Sequence, residues 1–224
     1  MSTRAAERPG AFPAVFGVGL YTIPEAALLL DRHFNTVRSW VQKGLAPAPV
    51  HLAFGETTIL SFHDLISLMV VRRLRDEGVE LHSIRSAEVY LRTKWHFPRP
   101  YATERILTDG QGVFVALERG GYTSADRQGQ ETLEGVIREI LHDVTYDAVT
   151  ELADCWKRKD GLVALRPDVQ FGQPCIVGTR LTTATVAELV NAGDKPEFVS
   201  ESYSVPLPQV IAALEFEKDL RKAA

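Results

Sequence analysis

The chain has 224 residues, 45% of them hydrophobic, enough for one large core or two modest ones. Its formal charge of −4 excludes a uniformly basic nucleic-acid binder, and its two cysteines, Cys155 and Cys175, exclude a disulfide framework. No apolar run approaches the ~20 residues that span a bilayer, and Pro9, Gly10 and Pro13 interrupt any signal-like segment, so a cytoplasmic protein is expected.

The charge is unevenly placed. Residues 1–96 hold 11 Lys/Arg against 9 Asp/Glu, while residues 97–224 hold 14 against 20. Local charge decides phosphate contact, so the acidic second half does not exclude DNA binding by the first.

Residues 1–20 read as a loose arm. In residues 21–45 the pattern predicts two short helices joined by a tight turn. Pro24 suits a first helical turn, with Thr22 or Ile23 outside it and Glu25 complementing the helix dipole. Asn35 is the expected cap of the second helix, with Thr36 to Lys43 as its body. Val37, Trp40 and Val41 recur at helical spacing and predict its buried face, and Gly44 ends it. Asn35, Thr36, Arg38, Ser39, Gln42 and Lys43 supply donors suited to phosphates and base edges. A helical hairpin that only packs on a neighbour fits the same spacing.

Pro47 and Pro49 stop the helix. Residues 51–54 and 57–60 are expected to pair as a hairpin around Gly55-Glu56, a wing from which Thr57 and Thr58 reach phosphate. Those two threonines are equally ordinary strand formers. Ser61 and Asp64 form a capping-box pattern ahead of Leu65, Leu68, Met69 and Leu74. Arg72, Arg73 and Arg75 fall near that helix's end, where cations suit the dipole, and Gly78 ends it. Residues 83–95 predict the next helix.

Several of these residues follow the pattern of a known superfamily: Tyr21-Thr22, Glu25-Ala26-Ala27, Thr36-Val37-Arg38, Trp40, Gly44-Leu45 and the stretch SFHDLISLMVVRRLRDEGVELHSIRSAEVYLR at 61–92. The segment resembles the winged helix-turn-helix of the MerR superfamily. That resemblance implies operator DNA as a partner and a homodimer reading two half-sites.

Pro98 and Pro100 mark a boundary by composition. Residues 103–107 and 112–118 predict two strands turned at Asp109-Gly110, with a third strand near Tyr122. Thr132 is the expected cap of a helix reaching His142, and residues 144–146 a closing strand. Residues 157–161 (KRKDG) read as a solvated turn. The remainder predicts a short strand, a loop and three helices at 185–191, from Pro196, and at 210–220.

Within that last piece, Gly172, Pro174, Cys175-Ile176 and Gly178-Thr179-Arg180, followed by ELxxAG-like and IxAAL-like helices, resemble the domain-of-unknown-function family numbered 433. Pro206-Leu207 departs from that family's usual cap and predicts a late start for the third helix. The family occurs in antitoxins of VapBC-type toxin–antitoxin systems, paired with PIN-like ribonucleases. The resemblance implies an antitoxin that binds and neutralises such a toxin and represses its own operon, as a homodimer or a higher hetero-oligomer with the toxin. Such antitoxins present a basic or bulky side chain to the toxin, which nominates Phe171, Arg180 and Lys195.

The expected architecture is mainly α with a small α+β middle region. It divides into an arm (1–20), a winged helix-turn-helix domain (21–96), a connecting domain (97–160) and a compact three-helix, helix-turn-helix-like domain (161–224). No cofactor, metal site or catalytic residue is expected. GxxxxGK[ST], HExxH, GxSxG and paired CxxC patterns are missing, and the histidines (His33, His51, His63, His82, His96, His142) show no ligand spacing. Cys175, between Pro174 and Ile176, reads as a buried small hydrophobe. The alternatives to an antitoxin are a stand-alone MerR-like regulator sensing a small ligand, and a scaffolding protein with vestigial helix-turn-helix folds.

Overall fold

Thr22 closes a capping box with Glu25, and the first helix starts there. The Thr22 amide donates to Glu25 Oε2 at 2.7 Å and the Glu25 amide donates to Thr22 Oγ1 at 3.3 Å. The computed structural model describes residues 18–45, 50–51, 58–94, 96, 99–103, 106–108, 112–116, 122–125, 130–132, 138–139 and 142–223. Strand β1 (Tyr21–Thr22) leads into α1 (Ile23–Leu29) and then α2 (Phe34–Gln42).

The second helix begins two residues earlier than expected. Its cap is His33, whose Nδ1 accepts from the Asn35 amide at 3.2 Å, so Asn35 sits inside the first turn. Asp31, at φ 50°, turns the chain sharply enough to bring His33 into place. At the far end the Leu45 amide donates to the Trp40 carbonyl and the Gly44 amide to that of Val41, with Gly44 at φ 78°. This double closure needs a left-handed residue, the role read for Gly44.

Strands β2 (Val50–His51) and β3 (Thr58–Leu60) pair antiparallel, with Val50 opposite Ile59 and His51 opposite Thr58. β1 pairs with the other edge of β3, placing Tyr21 opposite Leu60. The expected turn at Gly55-Glu56, and Thr57, lie outside the described residues.

Helix α3 (Phe62–Asp76) starts at the capping box read for Ser61 and Asp64, both of which are buried. Helix α4 (Leu81–Lys94) begins two residues before the expected start. The segment that composition marked as a boundary is tied into the core. Pro100–Ala102 form one 3-10 turn, Tyr101 is buried and its hydroxyl donates to the Ile84 carbonyl, and Arg99 donates to Ser61 Oγ at 2.6 Å.

Five short strands follow: β4 (Ile106–Thr108), β5 (Val113–Ala116), β6 (Tyr122–Ser124), β7 (Gln130–Thr132) and β8 (Arg138–Glu139). They form an antiparallel sheet in the order β7-β6-β5-β4-β8. The helix expected from Thr132 to His142 is corrected here. Thr132 ends a strand paired to β6, and Arg138–Glu139 pair with β4. The unpaired edges of β6 and β4 offer backbone partners, and tertiary pairing overrides the helical spacing of the apolar residues.

A third antiparallel sheet holds β9 (Val144–Tyr146), β10 (Ala153–Arg158), β11 (Val163–Leu165) and β12 (Cys175–Ile176), in the order β12-β11-β10-β9. Lys157 and Arg158, expected in a solvated turn, belong to β10, and the turn itself is Lys159-Asp160-Gly161, all at positive φ. This sheet takes strands from both sides of the boundary expected at residues 160 and 161.

Helices α5 (Thr183–Asn191), α6 (Pro196–Tyr203) and α7 (Leu207–Ala223) complete the chain. The last does not start late: the amides of Gln209 and Val210 donate to the Pro206 carbonyl, and Pro208 falls in the first turn, where a missing N–H is harmless. The chain is thus α+β. One apolar core runs from Tyr21 and Leu30 through Leu68 and Trp156 to Phe216, and a smaller one joins Ile176, Val186, Val199 and Val210.

Candidate nucleic-acid and partner interface

Helix α2 buries Val37 and Trp40 against the main core and turns Asn35, Arg38, Gln42 and Lys43 outward. Thr36 and Ser39 are half-buried at its flanks. These six residues therefore share the outward side of one helix. Among the described residues no carboxylate pairs with Arg38 or Lys43. Arg32 is different: it pairs with Asp76, which also takes Arg72 at 3.5 Å, and so fastens the hairpin to α3. Thr58 is half-buried in the central strand β3.

Arg73 and Arg75 are structural, as the helix-end reading expected. Arg75 donates to the Val79 carbonyl at 2.8 Å. Arg73 donates to Asp143 Oδ2 at 2.7 Å, and the Trp156 indole donates to the same oxygen at 2.9 Å. Burial pulls the Asp143 carboxyl upward, but the Arg73 and Trp156 hydrogen bonds outweigh it and hold the group below the usual carboxylate range.

The segments that carry Phe171 and Arg180 are joined through Gln170. Phe171 is 50% exposed and held at φ 55° inside the turn Gln170–Gly172. Gln170 Nε2 donates to the Arg180 carbonyl at 2.9 Å, and the Arg180 side chain is exposed. Lys195 lies on a separate connection, at the cap position of α6, with its side chain exposed and making no cap bond.

Sequence reading missed the joint between the two ends. The Tyr21 hydroxyl donates to the Gly172 carbonyl at 2.6 Å, and the Leu20 amide donates to the Phe171 carbonyl at 2.9 Å. Burial, and then the charge of Glu25, push the Tyr21 phenol above its ordinary range, so it stays a donor. Arg158 extends the same joint. Its guanidinium lies 4.8 Å from the Trp156 ring centre and 5.3 Å from that of Phe216, and it donates to the Leu29 carbonyl at 3.4 Å. Trp156 and Arg158 are two apart on a strand and so share one face; that spacing was the available signal.

Both cysteines carry free thiols. Cys175 is buried, and burial pushes its thiol up to about 11; burial, and then Asp154, also raise the Cys155 thiol. Each is protonated at neutral pH, which suits the apolar reading better than a nucleophile. The two line a groove of about 750 Å3 on the third sheet, together with Lys157, Arg166 and Arg180. No cluster of His, Cys, Asp or Glu suited to a metal occurs among the described residues, and none of their helices is long and apolar enough to cross a membrane.

Residues 163–216 match the family model described as a protein of unknown function, DUF433. The whole chain is similar to the uncharacterized protein Rv2308 of Mycobacterium tuberculosis, at 31% identity over 91% of this chain and 92% of that protein. The chain belongs to the Rv2308 family. A second M. tuberculosis relative, named "Putative antitoxin VapB45", is 26% identical over 89% of this chain and 94% of its own length. A protein of the same organism named "Uncharacterized HTH-type transcriptional regulator Rv1830" is 25% identical over 54% of this chain and 55% of its own length. The crystal structure of Rv2018 from M. tuberculosis superposes with a TM-score of 0.67 at 26% identity, covering 89% of this chain and 98% of that one. Antitoxin and regulator are the two roles these names carry.

Proposed function

We propose that the protein is the antitoxin of a VapBC-type toxin–antitoxin system. It holds and neutralises a PIN-like ribonuclease through its carboxy-terminal half and represses its own operon through its amino-terminal half. The observation that carries the reading is the similarity to the VapB45 relative over nearly the full length of both chains. The DUF433 match and the outward donors of α2 are consistent with one end for each task.

In this reading residues 21–96 act as a MerR-like winged helix-turn-helix. Helix α2 enters the major groove, with Asn35, Thr36, Arg38, Ser39, Gln42 and Lys43 facing DNA, while Thr57 and Thr58 touch phosphate from the wing. Two copies read the two halves of an operator. Phe171, Arg180 and Lys195 face the ribonuclease. Arg180 or Lys195 pairs with the carboxylates of its acidic centre, and Phe171 packs beside them. Neutralisation follows from occupying that centre, not from chemistry by this chain.

The test is a pull-down of the tagged chain at native expression, with bound proteins identified by mass. A small nuclease in fixed ratio, together with operator binding that weakens as salt rises, supports the reading. The similarity to Rv1830 favours a second reading, a stand-alone regulator that senses a small ligand. That reading predicts self-association and DNA binding with no companion protein.

A further inference from the structure

A cleft of about 200 Å3 separates the first helix from the carboxy-terminal helices. Leu28 and Leu29 of α1 form one wall, and Pro174 and Leu220 form the facing one. Two carboxylates border it, Glu25 from α1 and Glu217 from α7, and no Lys, Arg or His is among its lining residues. The carboxylates are only partly engaged. Glu25 Oε2 takes the amide and hydroxyl of Thr22, and Glu217 Oε1 takes the Thr183 hydroxyl. Glu217 is half-buried, beside apolar walls that weaken screening by water.

We propose that this cleft binds a small organic cation: one ring or a branched hydrocarbon carrying a single ammonium group. Size and charge both favour it. A dry cavity of about 150 Å3 already accommodates benzene, so this cleft admits a ring and a short amine arm. An ammonium that reaches either carboxylate gains a charge-assisted hydrogen bond, while an anion meets only like charge. A bound cation bridges α1 and α7, elements from opposite ends of the chain, and stabilises their contact by mass action. The site rests on the cleft alone and holds whichever macromolecule the chain binds.

The test uses the full chain and three isosteric probes, benzylamine, benzyl alcohol and benzoate, followed by calorimetry and melting temperature. Benzylamine is expected to bind about tenfold more tightly than benzyl alcohol and to raise the melting temperature, with benzoate weakest. Glu217→Gln keeps an acceptor for Thr183 and is expected to lower benzylamine affinity about tenfold while leaving benzyl alcohol unchanged. Ala184→Phe, which fills the cleft, is expected to abolish both. If that variant fails to fold, Glu217→Gln decides alone. Equal binding of all three probes, or none at millimolar concentration, overturns the proposal. So does an Ala184→Phe variant that loses self-association while the parent binds no probe, because the cleft then seats a second chain.

Discussion

Tyr21 donates its hydroxyl to the carbonyl of Gly172 across 151 positions of sequence, at 2.6 Å and out of contact with water. The strand that introduces the first helix is thereby fixed to the turn that displays Phe171. An ideal Cβ on Gly172 would sit 2.2 Å from that hydroxyl, and the residue's φ of +88° already disfavours any side chain. Tyr21→Phe leaves a buried carbonyl unsatisfied and is expected to cost about 1–3 kcal/mol in urea denaturation. Gly172→Ala is expected to cost more. The double variant should lose less than the sum, because removing the hydroxyl relieves part of the clash. Strict additivity would show that the two residues do not meet.

Arg38 projects from α2 with no carboxylate partner among the described residues. Arg38→Ala is expected to weaken operator binding and to lower the slope of log affinity against log salt by about 1. The melting temperature should not move. An unchanged salt slope, measured by fluorescence anisotropy, would remove Arg38 from the DNA interface.

Arg158 lies between the Trp156 and Phe216 rings and is pushed below its ordinary pKa mainly by burial. Its stem and its planar head both contribute there. Arg158→Ala is expected to destabilise the fold by about 2 kcal/mol, and Arg158→Lys to recover less than half, because an ammonium neither stacks nor spans both rings. Full recovery by lysine would reduce the site to a point charge.

Two part-buried groups contribute to the acid sensitivity of stability in separate windows. His63 is lowered from 6.5, chiefly by burial and then by the charge of Arg99, which together outweigh the opposing effect of the Ala153 carbonyl 2.9 Å from its Nε2, so the folded state favours the neutral ring. The unfolded chain binds that proton first, and stability is lost as pH falls through about 6.5. Asp143 is lowered from 3.8, so its contribution is present above that value and is lost as pH falls below it. Asp143→Asn should flatten only the lower limb of a stability–pH curve, and His63→Gln only the upper. Loss of the same limb in both variants would contradict the assignment.

Phe171 and Arg180 are joined through Gln170, whereas Lys195 stands on another connection. Alanine substitutions at Phe171 and Arg180 should therefore be coupled in their effect on ribonuclease affinity, by about 0.5–1 kcal/mol in a double-mutant cycle. Lys195→Ala should add independently to either. Surface plasmon resonance with the purified pair measures all four corners.

Local signals made much of the fold readable before the structure. Ser61 with Asp64 forms a capping box whose partners lie three residues apart, and Gly44 needs only its own backbone to end α2. What sequence did not disclose is long-range. β1 is a strand only because β3 is beside it, and residues 130–132 and 138–139 are extended because β6 and β4 present open edges. His33 displaced Asn35 as cap because a turn at Asp31 set the entry angle. The outward donors of α2 were legible from helical spacing. The Tyr21–Gly172 joint was not, since no pattern within either segment encodes the other.

The antitoxin reading is tested most directly by mixing the purified chain with any PIN-like ribonuclease that the pull-down recovers and following RNA cleavage. The expected result is loss of cleavage at a fixed stoichiometric ratio, restored in part by Arg180→Ala. Cleavage that continues unchanged at large excess of the chain would contradict it.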